Sequence, residues 1–367
     1  MGVIRVLIVD DSVVVRRLVS DVIGECEDLE VAAIAANGRL ALSRIPLANP
    51  DVVVLDVEMP ELDGLETLVE IRKLYPRLPV IMFSSLTERG ATTTLDALTR
   101  GASDYVTKPT SLGGMGSASE QVRSQLVPKI RALCRQEAVP APSFRRAAVA
   151  ESENTGTGRI SIVAIGTSTG GPNALGEVLP ALPGDFPVPI VVTQHMPPMF
   201  TRLLAERLNS KCALQVHEAE SGMMLKPGSI WIAPGDFHLA FEANERGVMI
   251  KLNQAPPECA CRPSVDVMFR SVVGAYGGNT LAVVLTGMGV DGLRGAGLIR
   301  QSGGRVFAQD EETSVVWGMP GAVARGGLAN RVLPLAHISR AITDAVLLSG
   351  KRDSATGVKR ESHAHRS

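Results

Sequence analysis

Between residues 1 and 110 five short apolar runs alternate with stretches of helical period, and this alternation restricts the first part of the chain to a parallel sheet with crossover helices. The strand-like runs are Val3–Val9, Val31–Ala35, Val52–Leu55, Val80–Phe83 and Tyr105–Val106. They are rich in β-branched residues, which suit a pleated surface packed on both faces. Between them Ser12–Ile23, Gly38–Ile45, Leu65–Leu74 and Thr92–Arg100 have the apolar spacing of helices, and a fifth helix is expected over Glu120–Arg135. Five such units predict a doubly wound α/β domain over residues 1–137. From Ala138 to Gly158 the periodicity stops and Ala, Pro, Ser, Glu, Asn, Thr and Gly take over, so 138–158 reads as a linker. A second α/β domain, expected to be three-layered, follows over 159–349. The charged stretch 350–367, with His363 and His365, is expected to be a disordered tail.

A chain of 367 residues, 45% hydrophobic, is long enough for two separate cores. No apolar run reaches bilayer length and Val3–Val9 ends in Asp10-Asp11 without a signal-peptide pattern. A cytoplasmic protein with no membrane insertion is therefore expected. Five cysteines, an odd number, argue against a disulfide framework. Cys259-Ala-Cys261 has no second ligand pair nearby and reads as incidental. The net charge is −1 overall, but residues 1–110 hold 17 acidic against 11 basic residues, a balance of −6. With only 4% aromatic residues and no basic stripe, nucleic-acid binding has no support.

In open α/β sheets functional groups collect beyond the carboxyl ends of the strands. Here those ends carry Asp10-Asp11, Asp56, Ser84 and Lys108. Three carboxylates crowded together repel one another, an arrangement that makes sense around a divalent cation such as Mg²⁺, with Asp10, Asp11 and Asp56 as ligands. Asp56 ends the third strand and is placed to attack phosphorus, while Lys108 and Ser84 would receive phosphoryl oxygens. Paired acids after strand one, Asp56 after strand three, a hydroxyl at Ser84, Tyr105 and Lys108-Pro109 together resemble the receiver domain of two-component response regulators, a flavodoxin-like fold. The resemblance implies that a histidine kinase phosphorylates Asp56 and that Ser84 and Tyr105 shift in response.

In the second domain the strand-like Ile160–Ile165 runs into Gly166-Thr-Ser168-Thr-Gly-Gly171, followed by Pro172 and a helical pattern. Glycines allow a tight turn and close approach, and the free amides of the helix start favour developing negative charge near Ser168. The loop reads equally as a flexible turn or a phosphate cradle. A serine nucleophile needs a base and the base an orienting acid. His195 follows the strand-like Pro189–Gln194, and Asp291 lies in Thr286-Gly-Met-Gly-Val-Asp-Gly292 after the buried run Leu281–Leu285. Ser168, His195 and Asp291 are thus the expected triad, with Met288 and Thr169 as oxyanion-hole candidates. An α/β-hydrolase order of serine, acid, histidine would instead require His337, which looks structural at the entry to the final helix.

A receiver, a linker and these three motifs together resemble the CheB family of chemotaxis methylesterases. Ile232–Leu239 and Arg262–Phe269 match as well, with no catalytic step assigned to them. The resemblance implies hydrolysis of glutamate γ-methyl esters on methyl-accepting chemoreceptors, deamidation of receptor glutamines in many members, a phosphodonor kinase of the CheA type, and no cofactor in the catalytic domain. It also leads to the expectation that the unphosphorylated receiver covers the mouth containing Ser168. The alternative is a response regulator whose second domain only binds a partner.

Overall fold

The computed structural model describes residues 2–109, 115–134 and 158–361. The chain divides into two compact units, Met1–Glu137 and Ala138–Ser367. All of the expected linker except Gly158, and His363 and His365 of the expected tail, lie outside the described residues.

The first unit alternates β1 (Ile4–Val9), α1 (Val13–Gly24), β2 (Leu29–Ala35), α2 (Gly38–Ala48), β3 (Val52–Asp56), α3 (Gly64–Leu74), β4 (Val80–Ser84), α4 (Glu88–Thr99), β5 (Asp104–Thr107) and α5 (Met115–Cys134). Its parallel sheet has the order β2-β1-β3-β4-β5, which places β1 and β3 side by side at the point where the winding reverses. Two helices start earlier than their apolar periodicity indicates. The Thr87 hydroxyl accepts from Gly90 N and caps α4, whose start at Glu88 lies four residues upstream of the expected Thr92. The first turn of α5 passes from Met115 through the small residues Gly-Ser-Ala-Ser, which carry no apolar period.

The second unit contains β6 (Ile162–Thr167), α6 (Gly171–Val178), β7 (Ile190–Gln194), α7 (Phe200–Asn209), β8 (Gln215–Glu218), β9 (Ser229–Ile232), the hairpin β10 (His238–Asn244) and β11 (Gly247–Asn253), α8 (Val265–Tyr276), β12 (Thr280–Val284), α9 (Leu293–Gln301), β13 (Arg305–Gln309), α10 (Met319–Arg325), β14 (Arg331–Leu333) and α11 (Leu335–Glu361). Seven strands form a parallel sheet in the order β14-β13-β12-β6-β7-β9-β8, and β10 and β11 pair antiparallel apart from it. Successive residues of β6, β7 and β12 point to opposite faces, yet all are buried, because helices cover both faces and make three layers. On one face Ile162, Ala164, Ala282 and Val284 pack with Met268, Phe269 and Val272 of α8 and with Ala296 and Ile299 of α9. Helix α11 runs on to Glu361, so residues 350–361 differ from the disordered tail expected there.

β6 lies between β12 and β7, in register over Thr280↔Ile162 and Val163↔Ile190. Chain direction across the sheet reverses here, and a crevice opens beyond the carboxyl ends of these three strands.

Candidate active site

Each of the three expected triad residues follows one of those central strands. Ser168 comes directly after β6, His195 directly after β7, and Asp291 in the loop between β12 and α9. The serine loop is tied on both sides. Ser168 N donates to Thr286 O at 3.0 Å, and Ser168 O accepts from Gly171 N at 2.8 Å and from Gln194 Nε2 at 3.0 Å. The same Gln194 Nε2 donates to His195 O at 3.2 Å, so one buried carboxamide joins the serine loop to the histidine loop. His195 N donates to Thr167 O at 3.2 Å, which starts the two loops side by side. Gly170 has φ of +78°, a conformation that side-chain-bearing residues rarely adopt, and a Cβ at Gly171 would overlap Gln194 Oε1.

Asp291 is almost completely buried and its carboxylate is held by five donors. Oδ1 accepts from Ser264 Oγ, Asp266 N and Gly292 N, each at 2.9 Å. Oδ2 accepts from Val265 N at 2.7 Å and pairs with His195 Nε2 at 2.8 Å. Three of these donors belong to the start of α8, whose aligned peptide dipoles favour an anion. Burial raises the Asp291 pKa, but the His195 hydrogen bond and charge and the α8 amides outweigh it and hold the carboxyl below its ordinary value. For His195 burial acts downward, while the bonds to Asp291 and Cys261 act upward and win, taking the imidazole to about 10.

One contact differs from the expected triad. The imidazole stands between a carboxylate and a thiol, because Nδ1 faces Cys261 Sγ at 3.5 Å while Nε2 holds Asp291. Both ring nitrogens are engaged, and no hydrogen bond joins Ser168 Oγ to the ring among the described residues. Cys261, read as incidental in the sequence, is therefore a neighbour of the expected base. Sequence reasoning also passed over Gln194, Ser264 and the amides of Val265 and Asp266. Cys259, Asp266 and Asp291 bring ligand-type atoms within 4.8 Å of one another. The Asp291 oxygens are already taken by five donors and Asp266 Oδ1 by Gly295 N at 2.7 Å, so the cluster reads as a scaffold for the imidazole rather than a metal site.

The oxyanion candidates sit against the serine. A Cβ on Gly287 would come within 2.9 Å of Ser168 Cβ, so the backbone leading into Met288 abuts the serine, and the Met288 amide N–H makes no hydrogen bond among the described residues. Thr169 is buried and its carbonyl accepts from Thr286 Oγ1 at 2.9 Å. His337 is exposed in the first turn of α11 and makes no bond to Asp291.

In the first unit Lys108 Nζ bridges Asp10 Oδ2 at 2.9 Å and Asp56 Oδ1 at 2.7 Å. Asp10 and Asp56 are buried, Asp11 is exposed, and ligand atoms of all three lie within 4.8 Å. Burial and the Asp10 charge push Asp56 up to about 6 against the opposing pull of Lys108. Ser84 is fully buried, with its hydroxyl accepting from Thr94 Oγ1 at 2.7 Å and facing Gly90 O, and Tyr105 is turned inward.

Fold and sites define a response-regulator receiver followed by a three-layer α/β domain with a hydrolase-like crevice. Residues 6–118 match the response regulator receiver domain family, and residues 163–342 match the CheB methylesterase family. Two similar proteins, from Trichodesmium erythraeum and a Nocardioides species, are named protein-glutamate methylesterase/protein-glutamine glutaminase. The first is 51% identical over 92% of this chain and 97% of its own length, and the second 52% identical over 91% and 93%. The crystal structure of the CheB methylesterase catalytic domain of Thermotoga maritima is 47% identical, covering 50% of this chain and 97% of that one, with a TM-score of 0.50. The chain belongs to the CheB methylesterase family.

Proposed function

We infer that this chain is a phosphorylation-regulated serine esterase that hydrolyses glutamate γ-methyl esters on chemoreceptors and also deamidates receptor glutamines. Its family and its relatives' names support the enzyme reading over a partner-binding module. The observation that carries the assignment of residues is the 2.8 Å bond between His195 and a five-fold-held Asp291, beside a glycine-bracketed serine on the next strand. With Nε2–H committed to Asp291, Nδ1 is the nitrogen left to act as base, so turnover requires the Ser168 hydroxyl to take the position that Cys261 holds at rest. Catalytic hydrogen bonds are often absent from a resting site and form in the substrate complex. Ser168 then attacks the ester carbonyl as its proton passes to His195. The oxyanion is placed toward the Met288 amide, with Thr169 beside it, and methanol leaves with the proton from His195. Water repeats the sequence and releases glutamate. Methanol release from methylated chemoreceptor membranes is the direct test, and no release above the membrane background would remove the esterase reading.

The receiver supplies the control. Asp10, Asp11 and Asp56 form a hard-oxygen donor set, and the pKa of Asp56, raised first by burial and then by the Asp10 charge, marks an anionic site whose charge a Mg²⁺ ion held there would offset. The ion would neutralise charge on an incoming phosphoryl group while Asp56 accepts it and Lys108 receives an oxygen. EDTA should abolish labelling of the receiver by a phosphodonor, excess Mg²⁺ should restore it, and Asp56→Asn should remain unlabelled with Mg²⁺ present. Labelling undiminished by EDTA would exclude the ion. The kinase of the pathway is proposed as the donor, by family resemblance. Removal of residues 1–137 is expected to leave an esterase whose rate equals or exceeds that of the full chain and no longer responds to phosphodonor, measured as methanol release. A large loss would exclude inhibition by the receiver.

A further inference from the structure

Cys261 is one of three groups whose contacts form a single chain. Asp291 has donors on both oxygens and pairs with Nε2 of His195, which leaves Nδ1 directed at the Cys261 sulfur 3.5 Å away. An acid that orients an imidazole, with the imidazole beside a thiol, is the arrangement that activates a cysteine nucleophile, because the thiol proton has a base to go to and the resulting charge pair is held. The thiol is fixed in place. Glu258 and Cys261 exchange backbone bonds, Cys261 N to Glu258 O at 2.8 Å and Glu258 N to Cys261 O at 3.2 Å. The next residue, Arg262, is held by Asp236 Oδ1 and by the carbonyls of Gln254 and Ala255 at 3.1 Å. Cys261 is also half-buried rather than sealed in the core.

We propose that Cys261 is a modification site, a primed thiol that reacts with hydroperoxides and, once oxidised, removes His195 from use by Ser168. In the reaction the Cys261 sulfur, as a thiolate paired with the imidazolium at Nδ1, attacks one peroxide oxygen. The O–O bond breaks, and the departing hydroxide takes a proton from the imidazolium and leaves as water. Cys261 becomes a sulfenic acid, oxidised by two electrons as the peroxide is reduced by two, and a thiol reductant returns it to the thiol. The sulfenic oxygen then lies against Nδ1, where the serine hydroxyl must come. Two other cysteines provide internal comparisons. Neither Cys259, which is exposed, nor Cys212 bonds a histidine among the described residues, so neither has a base beside its thiol.

The consequence for activity rests on reading His195 as the esterase base, whereas the reactivity of the thiol does not. Full-length protein is treated with limiting iodoacetamide at pH 7 and alkylation at each cysteine is followed by peptide mass. Cys261 is expected to react at least about tenfold faster than the more exposed Cys259, and His195→Gln to remove that advantage. An equal rate at Cys261 and Cys259 in the wild type, a comparison that needs no variant, would overturn the proposal. In a second arm hydrogen peroxide is added and methanol release is scored against each protein's own untreated rate. Wild type should lose activity and regain it with dithiothreitol, while Cys261→Ser should keep its starting rate. Equal peroxide inactivation of both would overturn the proposed effect on the base. If untreated wild type releases no methanol, the esterase reading fails, and the alkylation ratio still decides whether the thiol is primed.

Discussion

Replacement of Ser168 by alanine should reduce methanol release from methylated receptors by about a million-fold, on the scale of nucleophile removal in serine hydrolases, or about 8 kcal/mol of transition-state stabilisation. The loss should fall on kcat, with receptor binding unchanged, because the hydroxyl contributes only once the ester carbonyl is under attack. The fold should be intact. The bonds that hold the loop run through the backbone of residue 168 and through Gln194, neither of which the substitution touches. Phosphorylation of Asp56 is likewise expected to be unaffected, since the aspartate lies in the other compact unit. Methanol assays with wild type and variant, each checked for receiver phosphorylation, separate the alternatives. A variant that keeps more than about a thousandth of the wild-type rate, far above the roughly millionth left when a serine nucleophile is removed, would point to His195 activating water directly.

The sheet of the first unit was readable because each strand is a short β-branched run between helices with a clear apolar face. The same rule of function beyond strand ends located Asp10, Asp56 and Lys108, which the structure brings into contact. In the second unit β6, β7 and β12 announce themselves through buried runs, and His195 and Asp291 meet as their positions indicate. The hairpin β10–β11 and strands β8, β9, β13 and β14 are not among the expected runs; β8 and β14 are partly exposed and carry no strong apolar pattern. The cradle of Asp291 was also missed, for a different reason. Its donors are mostly backbone amides at the start of α8, and an amide has no residue-type signature. Ser264 shows only as a helix cap, a role it also fills by accepting from Val267 N at 3.5 Å. Cys261 has no signature in the sequence beyond an isolated Cys-x-Cys spacing, because its neighbour His195 is 66 residues away in the chain.

Asp291→Asn is expected to lower kcat/KM by about 10⁴, the scale found when the orienting acid of such a triad is neutralised. Two effects act together. The imidazole loses the charge that raises its basicity, and the new amide group must turn an N–H toward donors such as Ser264 Oγ, Val265 N or Gly292 N, which costs about 1–3 kcal/mol of stability for each group left unpaired. A melting curve and a pH profile separate these contributions. In the wild type the imidazole is raised to about 10, so the base-competent neutral form grows with pH and kcat/KM should climb toward alkaline pH, by about tenfold per unit below that value. Cys261→Ala removes one upward influence and should move the limb to lower pH, and Asp291→Asn should move it further while lowering the plateau. The sign for folding differs between the partners. His195, raised above 6.5, contributes stability that is present below that pH and lost as pH rises toward about 10. Asp291, depressed below 3.8, contributes stability present above that pH and lost as pH falls through its folded value. The pair should therefore be most stabilising on the acidic side of neutrality, while the esterase is fastest on the alkaline side, and a profile flat between pH 6 and 9 would contradict the coupling of His195 to Asp291.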